Sequence, residues 1–188
     1  MKKALVLFAS PHENGYTRRL LQEFLSGLSE KHWDVDFFDV YKYSIRPCIA
    51  CGRCRTDAQC IYGDMDELDA LLRKCDFVIV ASPVYNLSFP APLKAVMDRF
   101  QRYFEAYFFN NRRQPIEKRR QAVLLLTMGK NDELATTVCE KALKQSFSVM
   151  NIKLTHTLCL PDTDMASPGA DMIFEKARQL AIEIENKL

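Results

Sequence analysis

The sequence predicts an α/β fold, a three-layer sandwich with helices on both faces of a five-stranded parallel sheet. Short apolar runs that suit buried strands alternate with segments whose apolar residues recur at helical spacing. Five such units are too few for a closed α/β barrel, so an open, doubly wound sheet remains. The length of 188 residues, with 48% hydrophobic residues, suits a single domain over 1–188.

The strands are predicted from apolar runs and from alternation. Residues 4–9 and 77–81 form continuous apolar runs, as does 122–126, which is typical of strands buried on both faces. Residues 35–40 alternate roughly between apolar and polar side chains. The fifth strand, 152–160, gives a weaker signal because polar residues interrupt it. The predicted strands are therefore 4–9, 35–40, 77–81, 122–126 and 152–160.

The helices are predicted where apolar residues return every three or four positions. The segments with this pattern are 20–28, 65–75, about 91–109, 134–149 and 173–184. Between the second strand and the second helix the period disappears, and four cysteines occur there. We interpret about 44–64 as a cysteine-rich insertion into the domain.

Charge and hydropathy exclude several classes of partner. A net charge of +2 provides no strong field for nucleic acid or for an anionic membrane. The apolar run near the N-terminus has only six residues, too few for the core of a signal peptide, and no stretch has transmembrane length. We therefore expect a cytoplasmic protein whose seven cysteines are reduced.

A doubly wound sheet binds ligands beyond the carboxyl ends of its strands, which directs attention to the loops after the first, third and fourth strands. The six glycines lie too far apart for the dinucleotide fingerprint G-x-G-x-x-G. The only Gly-Lys pair, at Gly129, lacks the upstream glycine and the hydroxyl of a P-loop. Neither common nucleotide motif is present.

The first loop, 10–17, has the residues of an anion site. It opens into a helix whose free N–H groups attract an anion, and hydroxyls at Ser10 and Thr17 bracket the turn. Gly15 permits a positive φ at which amides can converge, and Arg18 and Arg19 would be compensated by a bound dianion. The alternative is that Thr17 caps the helix and that the loop is an ordinary turn.

Three loops together resemble the NADPH-dependent FMN reductase superfamily, which is flavodoxin-like. The matching stretches are Ser-Pro-x-x-Asn-Gly-x-Thr at 10–17, Ser-Pro-Val-Tyr-Asn at 82–86, followed by Leu-Lys and Asp-Arg at 93–94 and 98–99, and Thr-Met-Gly at 127–129. The resemblance implies strand order 2-1-3-4-5 and bound FMN. The implied FMN contacts are Ser10, His12, Asn14, Gly15, Tyr16 and Thr17 at the phosphate, and Pro83, Val84, Tyr85, Asn86, Thr127 and Gly129 at the ring.

Two positions depart from the family pattern. Family members often have Arg where this chain has His12, and Asn where it has Tyr16. Both changes weaken phosphate contacts, but neither removes the amides or the hydroxyls of the loop. Lys94 and Asp98 match the family pattern as well, although four residues apart on one helix they are expected simply to pair.

The cysteine insertion has the spacing of a metal or cluster site. Cys48, Cys51, Cys54 and Cys60 lie within thirteen residues, and such compact spacing allows one loop to surround a 4Fe-4S cluster. Zinc is the second possibility, although structural zinc more often uses two Cys-x-x-Cys pairs far apart. The third possibility is a loop of reduced thiols without metal. The spacing resembles the iron–sulfur flavoproteins of the same superfamily, in which the cluster exchanges electrons with FMN.

Two further stretches suggest contacts outside the flavin site. Five aromatic residues form one stripe late in the third helix, and this helix is expected to overhang the sheet. The stripe would then form a subunit interface, or else it would pack within its own domain. The five aromatic residues are Phe100, Tyr103, Phe104, Tyr107 and Phe108. A basic stretch around Pro115, from Arg112 to Arg120, is expected to be solvated, with NADPH or an acidic protein as the alternative partner.

Flavin chemistry requires little from side chains, because the ring accepts hydride or single electrons and the protein orients it. We therefore predict no catalytic acid, base or nucleophile. The first hypothesis is a flavoprotein oxidoreductase with FMN and a 4Fe-4S cluster, a ferredoxin-like carrier as donor and a small-molecule acceptor. The alternatives are a cluster-free NAD(P)H-dependent FMN, quinone or azo reductase, and a non-enzymatic electron carrier. A homodimer or homotetramer is expected.

Overall fold

The computed structural model describes residues 1–109 and 116–187. Its centre is a five-stranded parallel sheet of order β2-β1-β3-β4-β5, which confirms the predicted fold class and the strand order implied by the resemblance. The strands are β1 Lys2–Phe8, β2 Trp33–Asp39, β3 Phe77–Pro83, β4 Arg120–Thr127 and β5 Ile152–Leu160. The helices are α1 Tyr16–Leu25, α2 Arg53–Asp57, α3 Asp66–Lys74, α4 Ala91–Arg99, α5 Gln101–Phe109, α6 Glu133–Ser148 and α7 Ala170–Lys187.

The two faces of the sheet have separate hydrophobic cores, because successive strand residues point in opposite directions. On one face, Leu5 and Leu7 of β1 pack with residues of α3, α4, α5 and α6. On the other face, Val6 and its neighbours pack with α1 and α7. Strands β1, β3 and β4 are buried on both faces, which explains their continuous apolar runs.

The helix predicted over about 91–109 is interrupted at Phe100. The Phe100 amide donates to the Met97 carbonyl, three residues back, so the chain makes a tighter turn between α4 and α5. Residues three apart align in such a turn, and both Phe100 and Tyr103 are buried in the core. The prediction of one uninterrupted helix was therefore wrong.

The aromatic stripe is divided by this turn. Phe100 and Tyr103 pack inside the domain, where the Phe100 ring centroid lies 6.4 Å from that of Phe147 on α6. Phe108 is 58% exposed. The interpretation of the whole stripe as a subunit interface is thus wrong for its first half.

The basic stretch lies partly outside the described residues, which exclude Arg112, Arg113 and Pro115. Within them, Arg120 is buried and its guanidinium donates to the carbonyl oxygens of Leu72 and Met150. Arg120 thus joins the ends of α3 and α6 to β4, and the expectation of a solvated loop is wrong for this residue. None of the described helices combines the length and hydropathy needed to cross a bilayer.

Candidate functional site

The loop after β1 leads directly into α1, whose first residue is Tyr16. Gly15 occupies the N-cap position with φ −82° and ψ 179°, so the predicted positive φ is wrong. Its lack of a side chain serves close packing instead, because a Cβ there would lie 3.1 Å from the Cβ of His12. Among the described residues, no side chain caps this helix and no acidic residue lies in its first turn. The N-terminal N–H groups of α1 therefore suit an anion.

The polar residues of this loop differ in burial. Ser10 is buried and its Oγ accepts a hydrogen bond from the His12 amide at 3.2 Å. His12 and Asn14 are exposed, whereas Tyr16 is half-buried. The loop is thus anchored at Ser10 and open to solvent at its tip.

Thr17 connects the first loop to the third. Its Oγ1 lies 2.7 Å from the Oγ1 of Thr127 at the end of β4, and both residues are only 3% exposed. The alternative interpretation, in which Thr17 caps the helix, is therefore wrong. Two hydroxyls in one hydrogen bond use one of their two protons, which leaves the second O–H for another acceptor.

The loop after β3 lies beside the same threonine. The amide of Val84 donates to the carbonyl oxygen of Thr127 at 2.8 Å. Tyr85 and Ser88 then exchange two backbone hydrogen bonds around a tight turn, in which Asn86 and Leu87 have φ of 50° and 60°. Two consecutive left-handed residues indicate a turn held by its surroundings. The Tyr85 side chain is 42% exposed and faces solvent at this rim.

Residues after β5 support the loop after β4, a contact that the sequence did not indicate. The amide of Thr163 donates to the Met128 carbonyl at 3.0 Å, and a Cβ at Gly129 would lie 2.2 Å from the Asp164 carboxylate. Gly129 is therefore a point of close approach. Asp164 has no motif around it, so only the tertiary contact identifies it.

The structure brings the three predicted loops together at one edge of the sheet. The predicted FMN residues fall into three groups by exposure. The buried ones are Ser10, Thr17 and Thr127; the half-buried ones are Gly15, Tyr16, Pro83, Val84 and Gly129; the exposed ones are His12, Asn14, Tyr85 and Asn86. A buried polar floor with an exposed rim is an arrangement that suits a phosphate below and a planar ring above.

The four insertion cysteines line one cavity of about 210 Å³ beside α5. Cys48 and Cys51 are exposed, whereas Cys54 and Cys60 are half-buried. In the described part of the chain, no three Cys, His, Asp or Glu side chains are gathered closely enough to hold a metal ion. The insertion thus places the thiols around a common space without gathering them into a ligand set.

Charged side chains from the helices complete this cavity. Glu105 is 5% exposed and accepts hydrogen bonds from Arg55 Nε at 2.9 Å and from the side-chain Nε2 of Gln101 at 3.0 Å. Burial, with a smaller contribution from the Glu105 carboxylate, raises the pKa of the Cys54 thiol. The thiolate that a metal requires is therefore disfavoured until a cation binds.

The Leu-Lys and Asp-Arg elements of α4 have separate roles. Lys94 Nζ lies 2.7 Å from Asp98 Oδ1, which confirms that these two residues pair along the helix. Arg99 is 2% exposed and points to the cysteine insertion. The Asp-Arg pattern in the sequence did not indicate this role of Arg99.

Known proteins with similar sequences include flavoproteins and iron-sulfur proteins. A family model described as NADPH-dependent FMN reductase matches residues 2–157. An iron-sulfur flavoprotein of Methanocaldococcus jannaschii is 33% identical over 52% of this chain and 51% of that protein. One from Archaeoglobus fulgidus is 34% identical over 54% and 46%, respectively. The chain spans about half the length of these curated relatives.

Solved structures with low sequence identity share the fold. The NAD(P)H:quinone oxidoreductase from Methanothermobacter marburgensis superposes with a TM-score of 0.75 at 21% identity, covering 97% of this chain and 96% of that one. An azoreductase from Bacillus anthracis has a TM-score of 0.66 at 19% identity, with full coverage of both chains. The family model covers most of the chain, and the chain therefore belongs to the NADPH-dependent FMN reductase family.

Proposed function

We propose that this chain is an FMN-dependent oxidoreductase whose flavin lies on the loops after β1, β3 and β4. The observation that supports this most directly is the buried contact between Thr17 and Thr127, with Val84 bonded to the same threonine. These bonds hold three separate loops in one fixed arrangement at the carboxyl edge of the sheet. Such an edge is where open α/β sheets bind their ligands.

The phosphate of FMN would lie at the N-terminus of α1. The residues proposed to hold it are Ser10, His12, Asn14, Gly15, Tyr16 and Thr17. The amides of the first turn and the remaining threonine proton would donate to it. Arg18 lies in the same turn, with its guanidinium carbon 3.9 Å from the centroid of the Phe8 ring, so its charge is held close to this end of the helix.

The flavin ring would lie against the rim formed by Pro83, Val84, Tyr85, Asn86, Thr127 and Gly129. Bound FMN supplies hydride and one-electron chemistry at its ring. The chain itself would bind and orient the ring, and the exposed Tyr85 side chain would shield it from water. No side chain among these residues is assigned to proton transfer.

We further propose that Cys48, Cys51, Cys54 and Cys60 hold a 4Fe-4S cluster that exchanges electrons with FMN. Their compact spacing, their shared cavity and the likeness to proteins named iron-sulfur flavoproteins support this. The buried Arg99 and the half-buried Arg102 line the same cavity and lower the cost of four thiolates there, although each also pairs with a carboxylate, Asp64 and Asp69 respectively. The ligands would have to move together on binding, since the described cysteines are not already gathered.

The second candidate is a cluster-free reductase that takes hydride directly from NAD(P)H, with a quinone or azo compound as acceptor. It is favoured by the ungathered cysteines and by the names of the structural neighbours. The third is a non-enzymatic electron carrier, which the net charge of +2 disfavours, since such carriers usually dock through strong charge complementarity. Steady-state oxidation of NAD(P)H separates the second candidate from the third.

The deciding experiment is anaerobic purification followed by assays of flavin, iron and acid-labile sulfide. About four iron and four sulfide per FMN would support the cluster. Flavin without iron or sulfide after reconstitution would refute it and leave the direct NAD(P)H reductase and the electron carrier, which NAD(P)H oxidation separates.

A second measurement tests the position of the phosphate. FMN and riboflavin differ by this group, so FMN should bind about 100-fold more tightly through charge-assisted hydrogen bonds. Fluorescence quenching of the free flavins gives both dissociation constants. Equal affinities would contradict the assignment of the loop after β1.

The remaining proposals concern partners. A homodimer or homotetramer, with a ferredoxin-like carrier as electron donor, would fit the first candidate. Light scattering of the holoprotein gives the assembly. Cluster reduction by reduced ferredoxin, compared with reduction by NAD(P)H, identifies the donor, and failure of ferredoxin to reduce the cluster would exclude this carrier.

A further inference from the structure

Arg99, the last residue of α4, is the most deeply buried charged side chain near the cysteine cavity. Its side chain is 2% exposed, and it lines the cavity together with the four insertion cysteines. A buried guanidinium is costly unless its donors are satisfied. The groups that satisfy the Arg99 donors therefore indicate its structural role.

Two of these contacts reach the two ends of the cysteine insertion. The Nη1 atom donates to the carbonyl oxygen of Arg46 at 2.8 Å, and Nη2 donates to that of Tyr62 at 3.2 Å. Arg46 precedes Cys48 by two residues, and Tyr62 follows Cys60 by two. One planar side chain thus joins the chain just before the first cysteine to the chain just after the last.

Asp64 strengthens this junction. Its Oδ1 lies 2.8 Å from Arg99 Nη2, while its Oδ2 accepts hydrogen bonds from the amide and from the Nε of Arg46, both at 3.1 Å. The Arg46 guanidinium also lies 3.8 Å from the centroid of the Tyr62 ring. Each of these contacts either joins residue 46 to residues 62–64 or joins one of these two segments to Arg99.

The Nε donor of Arg99 remains unused. Its Nε is buried and has no hydrogen-bond partner among residues 1–109 and 116–187. A buried donor without a partner costs free energy, and Arg99 is one of the residues that line the cavity with the cysteines. Sulfur atoms held in that cavity are acceptors that would satisfy it.

We propose that Arg99 is a positioning residue that closes the cysteine insertion and donates through its Nε to the sulfur atoms bound there. The inference rests on the proposed cluster for its second part. Closure reduces the freedom of four thiols that must converge on one body, and it therefore raises the affinity for the cluster. The additional N–H donor stabilises the reduced, more negative cluster, and this raises its potential.

The test compares Arg99→Lys with the matched control Arg53→Lys. Both substitutions keep the charge, but a lysine at 99 has a single ammonium that cannot replace the planar fork. Arg53 lies in the same insertion, is largely exposed and pairs with Asp57. Asp64→Asn is the second variant, and it decides the matter if the Arg99 variant does not fold.

Three readouts are taken on each variant. Hydrogen exchange of 46–64 measures closure in the protein with or without a cluster. Iron release to a chelator measures retention, and a spectroelectrochemical titration gives the midpoint potential. FMN content and melting temperature report the integrity of the remaining fold.

Arg99→Lys should accelerate exchange of 46–64 and iron release by about 10- to 100-fold and shift the cluster potential to more negative values, with FMN content retained. Arg53→Lys should resemble the wild type. Unchanged exchange of 46–64 in Arg99→Lys and Asp64→Asn would overturn the proposal. If the wild type takes up no iron while Arg99→Lys still exchanges faster, the cluster is refuted and the closure by Arg99 stands.

Discussion

The hydrogen bond between Thr17 and Thr127 can be tested by removing each hydroxyl in turn. Thr17→Val keeps the branched shape of the side chain but leaves the Thr127 hydroxyl buried without its partner. A buried hydroxyl left without a partner costs about 1–3 kcal/mol, and this range already includes the loss of the hydrogen bond itself, about 1 kcal/mol. We therefore expect Thr17→Val and Thr127→Val each to lower the free energy of unfolding by about 1–2 kcal/mol.

The double variant is the informative member of the series. With both hydroxyls replaced by methyl groups, no polar atom of this pair remains to be satisfied, and such a change is often close to neutral. The double variant should then lose less than the sum of the two single losses, by about 1 kcal/mol. Urea unfolding of the four flavin-free proteins, fitted with a common slope, measures this coupling.

A second assay connects the contact to function. The two threonines hold the loops after β1 and β4 at a fixed separation, so each single variant should also weaken FMN binding. The conservative Thr17→Ser, which keeps the hydroxyl, is the control and should bind FMN nearly as the wild type does. Strictly additive stabilities, together with unchanged FMN affinity in both valine variants, would refute the role given to this bond.

Three further predictions follow from local geometry. Gly27→Ala should lower the free energy of unfolding by about 1–3 kcal/mol in urea, because its Cβ would lie 2.3 Å from the backbone oxygen of Arg178. Leu87→Gly should raise it by about 0.5–1 kcal/mol, because Leu87 has φ +60° in the turn after β3. Burial raises the pKa of Cys139 and Cys159 to about 11, so at pH 8 both should resist iodoacetamide, and their labelling should increase as pH rises towards 11.

Each of these has a result that would contradict it. A Gly27→Ala protein as stable as the wild type would mean that α1 and α7 can separate without cost. A loss of stability in Leu87→Gly would mean that the leucine side chain contributes more than its backbone conformation costs. Labelling of Cys139 at the rate of the exposed Cys48 in cluster-free protein, measured by peptide mass spectrometry at pH 8, would contradict the burial of the Cys139 thiol.

Much of the fold was predictable because its signals are local. A strand buried on both faces is a continuous apolar run, and a helix with one buried face repeats every three to four residues. These patterns gave the five strands and most helices. They did not reveal the turn at Phe100, because an aromatic residue every three or four positions fits one uninterrupted helix as well as two helices joined by a tight turn.

The site was predictable to the level of its loops and not of its contacts. Parallel strands place their carboxyl ends at one edge, so the three loops could be expected to meet. Which atoms join them depends on partners far apart in the chain, such as Thr17 and Thr127, which are 110 residues apart. Gly15 shows the same limit. A glycine is needed there because the His12 side chain lies close to it, and not because the backbone has a positive φ.

The sequence by itself thus determined the α/β class, the three loops that meet at the carboxyl edge of the sheet and the presence of four closely spaced cysteines. The tertiary structure alone decided that these cysteines share a cavity and that Asp164 packs on Gly129. It also decided that Arg99 donates to the carbonyl groups of Arg46 and Tyr62, which lie 53 and 37 residues before it in the chain. The physical reason is that periodicity and spacing report what each segment buries. The direction of a buried charged side chain is set by the carbonyl groups that tertiary packing brings within its reach.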